Sequence, residues 1–425
     1  MLQTRDRGTA LESPRDTMSD LKIQGQDLTE MSSLIQSTVV MEVTKQVQAL
    51  LTSLETTTLN IAITGESGTG KSTFINAIRG LSDEDVGAAV TGVTESTREP
   101  NCYQHPKIST VQLWDLPGIG TPSFQADRYL EQVGFERYDF FIILSSERFR
   151  ENNAYLARSI RAVNKKFYFV RSKIDLDIRA CQRNRNFNEE RVLAEIRANC
   201  IHCLEKEGVE APKVFLLSSF ELHKYDFHKL QDTLVQELNG QKKHVLLLSL
   251  PNITVEMIEK KKESLKRHIW KKALLACLIS ALPTFPVHYN APLLMETLAS
   301  YQKNFGLDDE SISTLALRVN KSPCSLKKQI TSSLGKDISD HSVQSALRMA
   351  ALCGHASVSL VERHVPLLGN LVAGGISFVA IYILLSSSLD SFAQDAQKVL
   401  KAAYRTEKED KLEAYYSQEI DFLYD

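Results

Sequence analysis

The feature that most constrains the fold is a glycine-bearing turn between an apolar run and a helical pattern. The run 59–64 has the length of a buried strand, and 73–79 has the periodicity of a helix. Between them stands the phosphate-binding P-loop pattern Gly-x-x-x-x-Gly-Lys-Ser. Its candidate binding residues are Gly65, Glu66, Ser67, Gly68, Thr69, Gly70, Lys71, Ser72 and Thr73. Strand, turn and helix signals agree, so we expect this turn to bind phosphate.

Each residue type in the turn has a physical reason. Gly65 and Gly70 allow backbone conformations that a Cβ atom disfavours, so successive N–H groups can point at a phosphate on the positive end of the helix dipole. Lys71 is expected to reach the β- and γ-phosphates, and the Ser72 hydroxyl to bind Mg²⁺. The alternative, a glycine-rich turn without a ligand, is disfavoured because every fixed position of the pattern is present.

Further apolar runs of strand length indicate a sheet. They lie at 110–114, 140–144, 166–170 and 214–217, separated by helical patterns near 154–163 and 188–206. Strands that are apolar on both faces and alternate with helices predict an α/β fold, a mostly parallel sheet with helices on both faces. The stretch 83–109, between the P-loop helix and the next strand, is predicted to be irregular.

The rest of the chain is predicted to be helical. In 27–55, apolar residues spaced by three and four make one helix face, consisting of Val43, Val47, Leu50, Leu51 and Leu54. Later helices are predicted near 254–282, 291–305, 309–320, 341–363, 367–388 and 391–422. We predict a disordered N-terminus at 1–19, N-terminal helices at 20–57, a P-loop α/β domain at 58–240 and an all-α domain at 241–425 that the N-terminal helices join.

The composition excludes several classes of protein. With 50 basic and 52 acidic residues the net charge is −2, so no overall field attracts nucleic acid, and we expect no nucleic-acid partner. Seven cysteines scattered through 425 residues do not make a disulfide framework. The polar start lacks the pattern of a secretion signal, and Leu2 excludes the Met-Gly pattern of N-myristoylation. We therefore expect a cytoplasmic protein.

The second chemical motif is Asp115-Leu-Pro-Gly118, directly after the strand pattern 110–114. An aspartate in this position holds Mg²⁺, and the N–H group of Gly118 can meet the γ-phosphate. An Asp-x-x-Gly tetrapeptide alone is common. At this distance beyond a complete P-loop, it indicates a nucleotide switch.

The third motif, Ser172-Lys173-Ile174-Asp175, follows the strand pattern 166–170, at the sheet edge where open α/β folds bind ligands. A carboxylate only accepts hydrogen bonds, so Asp175 suits the N1–H and exocyclic amine of guanine and favours GTP over ATP. The first position is usually Asn or Thr, and Ser172 makes the match looser. Ser218 and Ser219 follow the last strand pattern, where a base-closing loop is expected.

A hydroxyl-rich stretch, Thr91-Gly-Val-Thr-Glu-Ser-Thr97, lies between the P-loop and the Asp-x-x-Gly motif. In a nucleotide switch, one threonine binds Mg²⁺ while the γ-phosphate is present and releases it after hydrolysis. Thr97 is our first candidate for this role and Thr94 the second. A simple polar turn is the alternative.

The residue that orients the attacking water is not evident. Small GTPases often place Gln directly after the Asp-x-x-Gly motif, but this chain has Ile119 there. We therefore expect slow intrinsic hydrolysis. Glu66 or Ser67, a switch residue or a second protein molecule would have to supply the missing group.

Two stretches raise the question of a membrane. The segment 366–389 carries no charge and is long enough to cross a bilayer, but Asn370, the glycine pair 374–375 and the serines at 386–388 dilute it. A buried or reversibly inserting helix is therefore favoured over a permanent span. Basic residues at 260–262, 266–267 and 271–272 suggest either a solvated helix face or contact with anionic lipid headgroups.

Seven segments, in chain order, resemble the immunity-related GTPases, a family of interferon-inducible vertebrate proteins. They read GESGTGKSTFINAIRGL, TGVTESTREPNCYQHPK, LWDLPGIGTP, QVGFERYDFFIIL, KKFYFVRSKIDLD, KKHVLLLSLPNIT and YQKNFGLDDESI. The resemblance implies a Ras-like GTPase domain on a helical domain built from both chain ends. It also implies GTP-dependent self-association through the nucleotide face, hydrolysis stimulated in trans, contacts with other family GTPases and association with vacuole membranes around intracellular pathogens.

The resemblance also assigns roles to single residues. Lys71 places the chain in the branch with a standard lysine P-loop, and Glu95 matches the switch glutamate used for dimerisation and activation. Thr91 and Thr97 match switch threonines that pathogen kinases phosphorylate in relatives, which would add negative charge beside the GTP phosphates. The candidate catalytic residues are thus Lys71, Glu95, Thr97 and Gly118.

Three functional hypotheses follow from these motifs. The preferred one is a Mg²⁺-dependent GTPase that oligomerises when it holds GTP, associates peripherally with endomembranes or pathogen vacuoles, and acts in interferon-induced innate immunity. The second is a guanine-nucleotide-binding regulator of partner GTPases with little turnover, which Ile119 and Ser172 support. The third is an ATPase, which Asp175 opposes.

Overall fold

The structure is a computed structural model of the chain. It describes residues 40–92, 97, 99–119, 128–280, 290–354 and 378–405. Among these residues, 54–261, 304–329 and 397–405 form one compact unit, here called the sheet unit, and 40–53, 262–303 and 330–396 form another. The predicted domain boundaries at 19, 57 and 240 stay a prediction.

The sheet unit is built on six strands. They are β1 (Leu59–Gly65), β2 (Asn101–Gln104), β3 (Val111–Asp115), β4 (Phe140–Ser145), β5 (Lys166–Arg171) and β6 (Val214–Leu216). Their order in the sheet is β2-β3-β1-β4-β5-β6. β2 runs antiparallel to β3, whereas all other neighbouring strands are parallel. This mostly parallel sheet confirms the predicted α/β fold class.

The prediction that 83–109 is irregular throughout is wrong at β2. The strand pairs with β3 from Asn101 opposite Asp115 to Gln104 opposite Gln112. Three of its four side chains are exposed, so the sequence Asn-Cys-Tyr-Gln lacks the apolar pattern of a buried strand. An edge strand of this kind is stabilised by its ladder of backbone hydrogen bonds, which a search for apolar runs does not detect.

Sixteen α-helices are present among the described residues. They are α1 (Val40–Thr56), α2 (Lys71–Arg79), α3 (Tyr129–Val133), α4 (Glu151–Ala162), α5 (Ile174–Cys181), α6 (Glu189–Lys206), α7 (Phe227–Glu237), α8 (Gly240–Ser249), α9 (Val255–Lys266), α10 (Ile269–Ser280), α11 (Asn290–Asn304), α12 (Asp309–Arg318), α13 (Pro323–Lys327), α14 (Ser333–Lys336), α15 (Asp340–Gly354) and α16 (Phe378–Tyr404).

The central strands are buried on both faces, as their continuous apolar sequence predicts. In β4, Phe140, Ile142 and Leu144 enter one apolar core, while Phe141 and Ile143 enter a second. The first core includes side chains of α2, α7 and α8, and the second includes side chains of α4 and α6. Because side chains alternate along a strand, each strand ties two helical layers to one sheet.

Within the described residues, the helices predicted near 291–305 and 309–320 are present, as is the described part of the helix predicted at 341–363, whereas two other predictions are wrong. The parts predicted at 355–363, 367–377 and 406–422 lie outside the described residues. The single helix predicted at 254–282 is two helices, α9 and α10. The break predicted between 388 and 391 is absent, because α16 runs without interruption through Ser386–Ser388. Of the apolar face predicted on α1, Val43, Val47 and Leu51 are buried.

The uncharged segment 366–389 is described only from Phe378 onward, where it forms the first half of α16. The part at 366–377 lies outside the described residues. So do residues 1–39, on which the predicted disordered N-terminus at 1–19 and the first part of the N-terminal helices predicted at 20–57 fall. No helix within the described ranges combines the length and the apolar character needed to cross a bilayer.

Candidate nucleotide site

The P-loop joins the end of β1 to the start of α2. Gly65 has φ +144°, and a Cβ atom there would lie 2.1 Å from the carbonyl oxygen of Leu144, so no other residue fits without moving the backbone. Gly70 caps α2 in the left-handed conformation, with φ 88° and ψ 28°. The first N–H groups of α2 therefore open toward the loop, which is the arrangement that binds anions at a helix N-terminus.

Lys71 lies inside this loop and is only 7% exposed. Its Nζ atom donates hydrogen bonds to the carbonyl oxygens of Gly65, at 3.4 Å, and Glu66, at 3.1 Å. The ammonium group thus adds a full positive charge to the partial positive charge of the α2 N-terminus. A triphosphate tail is complementary to both.

Three oxygen-bearing side chains converge beside Lys71. Ser72 Oγ donates to Asp115 Oδ2 at 2.6 Å, and Thr97 Oγ1 donates to the same oxygen at 3.1 Å. Asp115 is 1% exposed, and its other oxygen, Oδ1, has no hydrogen-bond partner among the residues that the structure describes. A buried carboxylate oxygen without a partner is costly unless a ligand satisfies it.

The electrostatics of Asp115 fit a cation. Burial raises the pKa of its carboxyl group, while hydrogen bonds from Ser72 and Thr97 and the charge of Lys71 oppose that rise. A bound divalent ion would favour the ionised form. Carboxylate and hydroxyl oxygens are ligands that Mg²⁺ accepts, so the residues present fit this metal.

One pocket of about 310 Å³ brings the predicted motifs together. The site residues predicted from the sequence that line this pocket are Ser67, Gly68, Thr69, Gly70, Lys71, Ser72, Thr73, Thr91, Thr97, Gly118, Lys173, Asp175 and Ser219. Asp115 reaches it through the hydroxyl groups of Ser72 and Thr97. Glu95 and Thr94 lie outside the described residues, so their roles stay predictions.

The third motif is physically attached to the P-loop. Ser172 Oγ donates to the carbonyl oxygen of Thr69 at 2.8 Å, and Lys173 Nζ donates to that of Gly68 at 2.7 Å. Lys173 adopts φ 59° as the cap of α5, which places Asp175 in the first turn of this helix, 9% exposed. The short hydroxyl of Ser172 therefore serves as a bridge between the two loops.

The loop after β6 contributes in two ways. Ser219 lines the pocket. Ser218 is 1% exposed and accepts a hydrogen bond from the N–H group of Phe220 at 3.3 Å, so its side chain shapes the loop. Asp226 closes the loop, because its Oδ2 atom accepts from the N–H group of Leu216 at 2.9 Å and its own N–H group donates to the Leu216 carbonyl at 3.0 Å.

The structure separates the two P-loop candidates for orienting water. Ser67 lines the pocket. The Glu66 carboxylate instead pairs with Arg150, at 3.2 Å, and accepts from Asn152 Nδ2, at 2.9 Å. Ile119 is 3% exposed and belongs to an apolar core, so this position offers no group to a water molecule.

Sequence reasoning missed some residues of the pocket wall, namely Gly92, Leu176 and Phe220. It also missed Arg150 and Asn152, the partners of Glu66. Leu176 and Phe220 directly follow Asp175 and Ser219, so adjacency to predicted motifs was the available signal. No local pattern marks Arg150 and Asn152, which are brought to the P-loop by the fold.

Comparison with known proteins agrees with these observations. The family model for interferon-inducible GTPases matches residues 25–403. The chain is 41% identical to rat interferon-inducible GTPase 5 over 88% of this chain and 82% of the relative. It is 37% identical to mouse interferon-gamma-inducible GTPase 10, over 89% of each chain. It is 43% identical to mouse interferon-inducible GTPase 1, over 63% of this chain and 65% of the relative. The chain therefore belongs to the interferon-inducible GTPase family and is a GTP-hydrolysing enzyme.

Proposed function

We propose that this protein binds GTP with Mg²⁺ in the pocket described above and hydrolyses it as part of a cycle of self-association on membranes in interferon-induced immunity. The observation that carries the site assignment is the convergence of three sequence motifs on one pocket. We assign Lys71 and the start of α2 to the phosphates and call this part of the pocket the phosphate end; Asp115 contacts it through Ser72. We assign Asp175 to the base and call the part of the pocket around Asp175 and Ser219 the purine end.

The residues divide the work of binding. The N–H groups of the P-loop and Lys71 hold the phosphates, and Gly118 lies against the P-loop, since a Cβ atom on it would be 2.8 Å from the nitrogen of Ser67. Ser72, Thr97 and Asp115 would hold Mg²⁺, which neutralises phosphate charge when it is bound. The Asp175 carboxylate accepts hydrogen bonds from guanine and thereby selects GTP over ATP.

Hydrolysis requires a group that orients water, and the described part of the pocket offers Ser67 but not Ile119. We propose that a second copy of the chain completes the site across the nucleotide face, with Glu95 of the switch segment as the dimer contact. The family resemblance supports this role for Glu95. Hydrolysis is then self-activated, since each molecule supplies what its partner lacks.

The proposed self-activation is tested by measuring turnover per molecule at increasing protein concentration. Self-activation predicts a specific activity that rises with concentration, together with a shift from monomer to oligomer when a non-hydrolysable GTP analogue replaces GDP. Glu95→Ala should remove the concentration dependence while leaving GDP affinity nearly unchanged. A specific activity independent of concentration would refute the dimer mechanism while leaving GTP binding intact.

We propose peripheral association with endomembranes or pathogen vacuoles on the basis of family membership. The basic residues at 260–262 add little to this basis, because they are buried or lie close to carboxylates. Lys260 pairs with Asp232 at 2.7 Å, Lys262 lies 3.8 Å from Asp390, and Lys261 is buried. Flotation with anionic vesicles in the presence of GDP or the GTP analogue tests the association. Equal absence from the vesicle fraction in both states would contradict it.

A further inference from the structure

Two exposed apolar side chains stand at the purine end of the nucleotide pocket. Phe220 is 78% exposed and Leu176 is 52% exposed, and both line the pocket. The other large apolar side chains with comparable exposure among the described residues, such as Val86 and Leu352, do not line it. Exposed apolar surface inside a binding pocket is surface that a ligand can remove from water.

The backbone at both positions is fixed by a hydrogen bond. Leu176 follows Asp175 in the first turn of α5, and its N–H group donates to the carbonyl oxygen of Lys173 at 3.0 Å. The N–H group of Phe220 donates to Ser218 Oγ at 3.3 Å.

The loop that carries Phe220 is anchored on both sides. It is closed by two hydrogen bonds between Asp226 and Leu216, one between backbone groups and one accepted by Asp226 Oδ2. Leu222 within it is 7% exposed and belongs to an apolar core. The exposure of Phe220 is therefore a property of an anchored loop.

We propose that Phe220 is a base-binding residue that covers the purine ring, with Leu176 as a second apolar contact. This inference rests on the proposed function of Asp175 as the guanine-reading carboxylate. Phe220 follows Ser219 and Leu176 follows Asp175, and all four residues line the same pocket. An aromatic ring offers a stacking surface to a base.

The cover also explains how a single carboxylate suffices for recognition. Asp175 competes with water for the N–H groups of guanine, and a hydrogen bond strengthens when water is excluded from it. Phe220, in the loop after β6, and Leu176, in the first turn of α5, supply that exclusion. A second copy of the chain is the alternative occupant of the exposed Phe220 ring, and it predicts a different result in the test.

The test is calorimetric titration of GDP with Mg²⁺ into the wild type and Phe220→Ala. We expect GDP affinity to fall about tenfold in Phe220→Ala, because stacking of one base on an aromatic side chain is worth this much or more. Phe220→Tyr should restore the affinity. Val86→Ala, which removes an exposed apolar side chain outside the pocket lining, should leave it unchanged.

A fluorescent variant provides a second readout. Phe220→Trp should change its emission on addition of GDP but not of pyrophosphate, which has no base. Wild-type protein, which contains two tryptophans, measures the background.

The outcomes are distinguishable. If the wild type binds GDP and Phe220→Ala binds it equally well, the inference fails, and it fails also if the variant loses only self-association in light scattering. If the wild type itself binds no GDP, the proposed nucleotide site fails instead.

Discussion

The two ends of the nucleotide pocket are built differently. At the phosphate end, Lys71, Thr97 and Asp115 are each at most 8% exposed and are fixed by hydrogen bonds to one another or to the P-loop backbone. At the purine end, Leu176 and Phe220 are more than half exposed and stand on a helix start and a loop. The phosphate end is shaped by its own buried polar atoms. The shape of the purine end depends instead on contacts outside the pocket, namely the hydrogen bonds between Asp226 and Leu216 and the buried side chain of Leu222.

The two ends also differ in how they hold a buried carboxylate. Burial raises the pKa of Asp115 despite its hydrogen bonds, so the ionised form is penalised until a cation arrives. Burial acts in the same direction on Asp226, but hydrogen bonds from Leu216 and Arg197 outweigh it and lower the pKa below its usual range. The charge of Asp115 therefore still lacks full compensation, which a bound cation would supply. The charge of Asp226 is already compensated by hydrogen bonds within the fold.

The largest expected effect tests the phosphate end. Lys71→Ala should reduce GTP turnover about 100- to 1,000-fold, because a buried cation at the developing phosphate charge is lost. Lys328→Ala, which changes an exposed lysine, is the matched control. Both variants are compared with the wild type by phosphate release at saturating GTP. Full turnover in Lys71→Ala would overturn the assignment of this end.

The next effect tests the anchor of the purine end. Asp226→Asn should lower the free energy of unfolding by about 3 kcal/mol at pH 7, because it removes the charge-assisted hydrogen bond with Arg197 from a carboxylate whose side chain is only 4% exposed. Urea denaturation measures this loss. Asp232→Asn, at the exposed pair with Lys260, should cost less than about 1 kcal/mol.

The pH dependence of the same variant has a definite sign. Because the folded pKa of Asp226 is lowered, its stabilising contribution is present above the unfolded pKa of about 3.9 and is lost as the pH falls through the folded pKa. The difference in unfolding free energy between wild type and Asp226→Asn should therefore shrink below about pH 4. A difference that stays constant down to pH 2 would contradict the charge-based anchor.

A smaller effect tests base reading. Asp175→Asn should weaken GDP binding about 10- to 100-fold, since the amide replaces one acceptor with a donor that opposes the exocyclic amine of guanine. Xanthosine diphosphate, which carries an acceptor at that position, should lose less. Asp177→Asn, two residues along α5 and paired with Arg171, is the control. Equal losses for both nucleotides would remove Asp175 from base recognition.

The smallest effect is a gain. In buffer without Mg²⁺ or nucleotide, Asp115→Asn should raise the free energy of unfolding by about 1 kcal/mol, since a neutral amide avoids the burial penalty of the carboxylate. The raised pKa means that wild-type stability falls as the pH rises through the carboxyl titration, and the variant should lack this slope. Mg²⁺-dependent GDP affinity should be lost at the same time. A destabilised variant would show that the hydrogen bonds from Ser72 and Thr97 to the carboxylate outweigh its burial penalty.

The phosphate end could be predicted from the sequence because its parts are local. Gly65 to Thr73 lie within one turn and one helix start, and the backbone conformations they need are restricted to glycine at Gly65 and Gly70. The Asp115 motif follows a strand that is apolar enough to be recognised. Short-range signals of this kind survive without knowledge of the tertiary structure.

The remaining features are set by tertiary contacts. β2 exists because β3 offers it a hydrogen-bonding edge, and its own side chains are mostly exposed. Arg150 and Asn152 meet Glu66 from more than 80 positions away in the chain. Phe220 would be an unremarkable loop residue without the pocket beside it. No periodicity or motif spacing encodes such encounters.

The hydrogen bonds from Ser172 and Lys173 to P-loop carbonyl oxygens join the base-binding motif to the phosphate-binding loop. Because these two loops are bonded to each other, we expect a bound nucleotide to leave the base-binding and the phosphate-binding residues in one step. Nucleotide dissociation should then follow a single exponential. A substitution in either the P-loop or the Ser172–Asp175 motif should increase the rate of that one step.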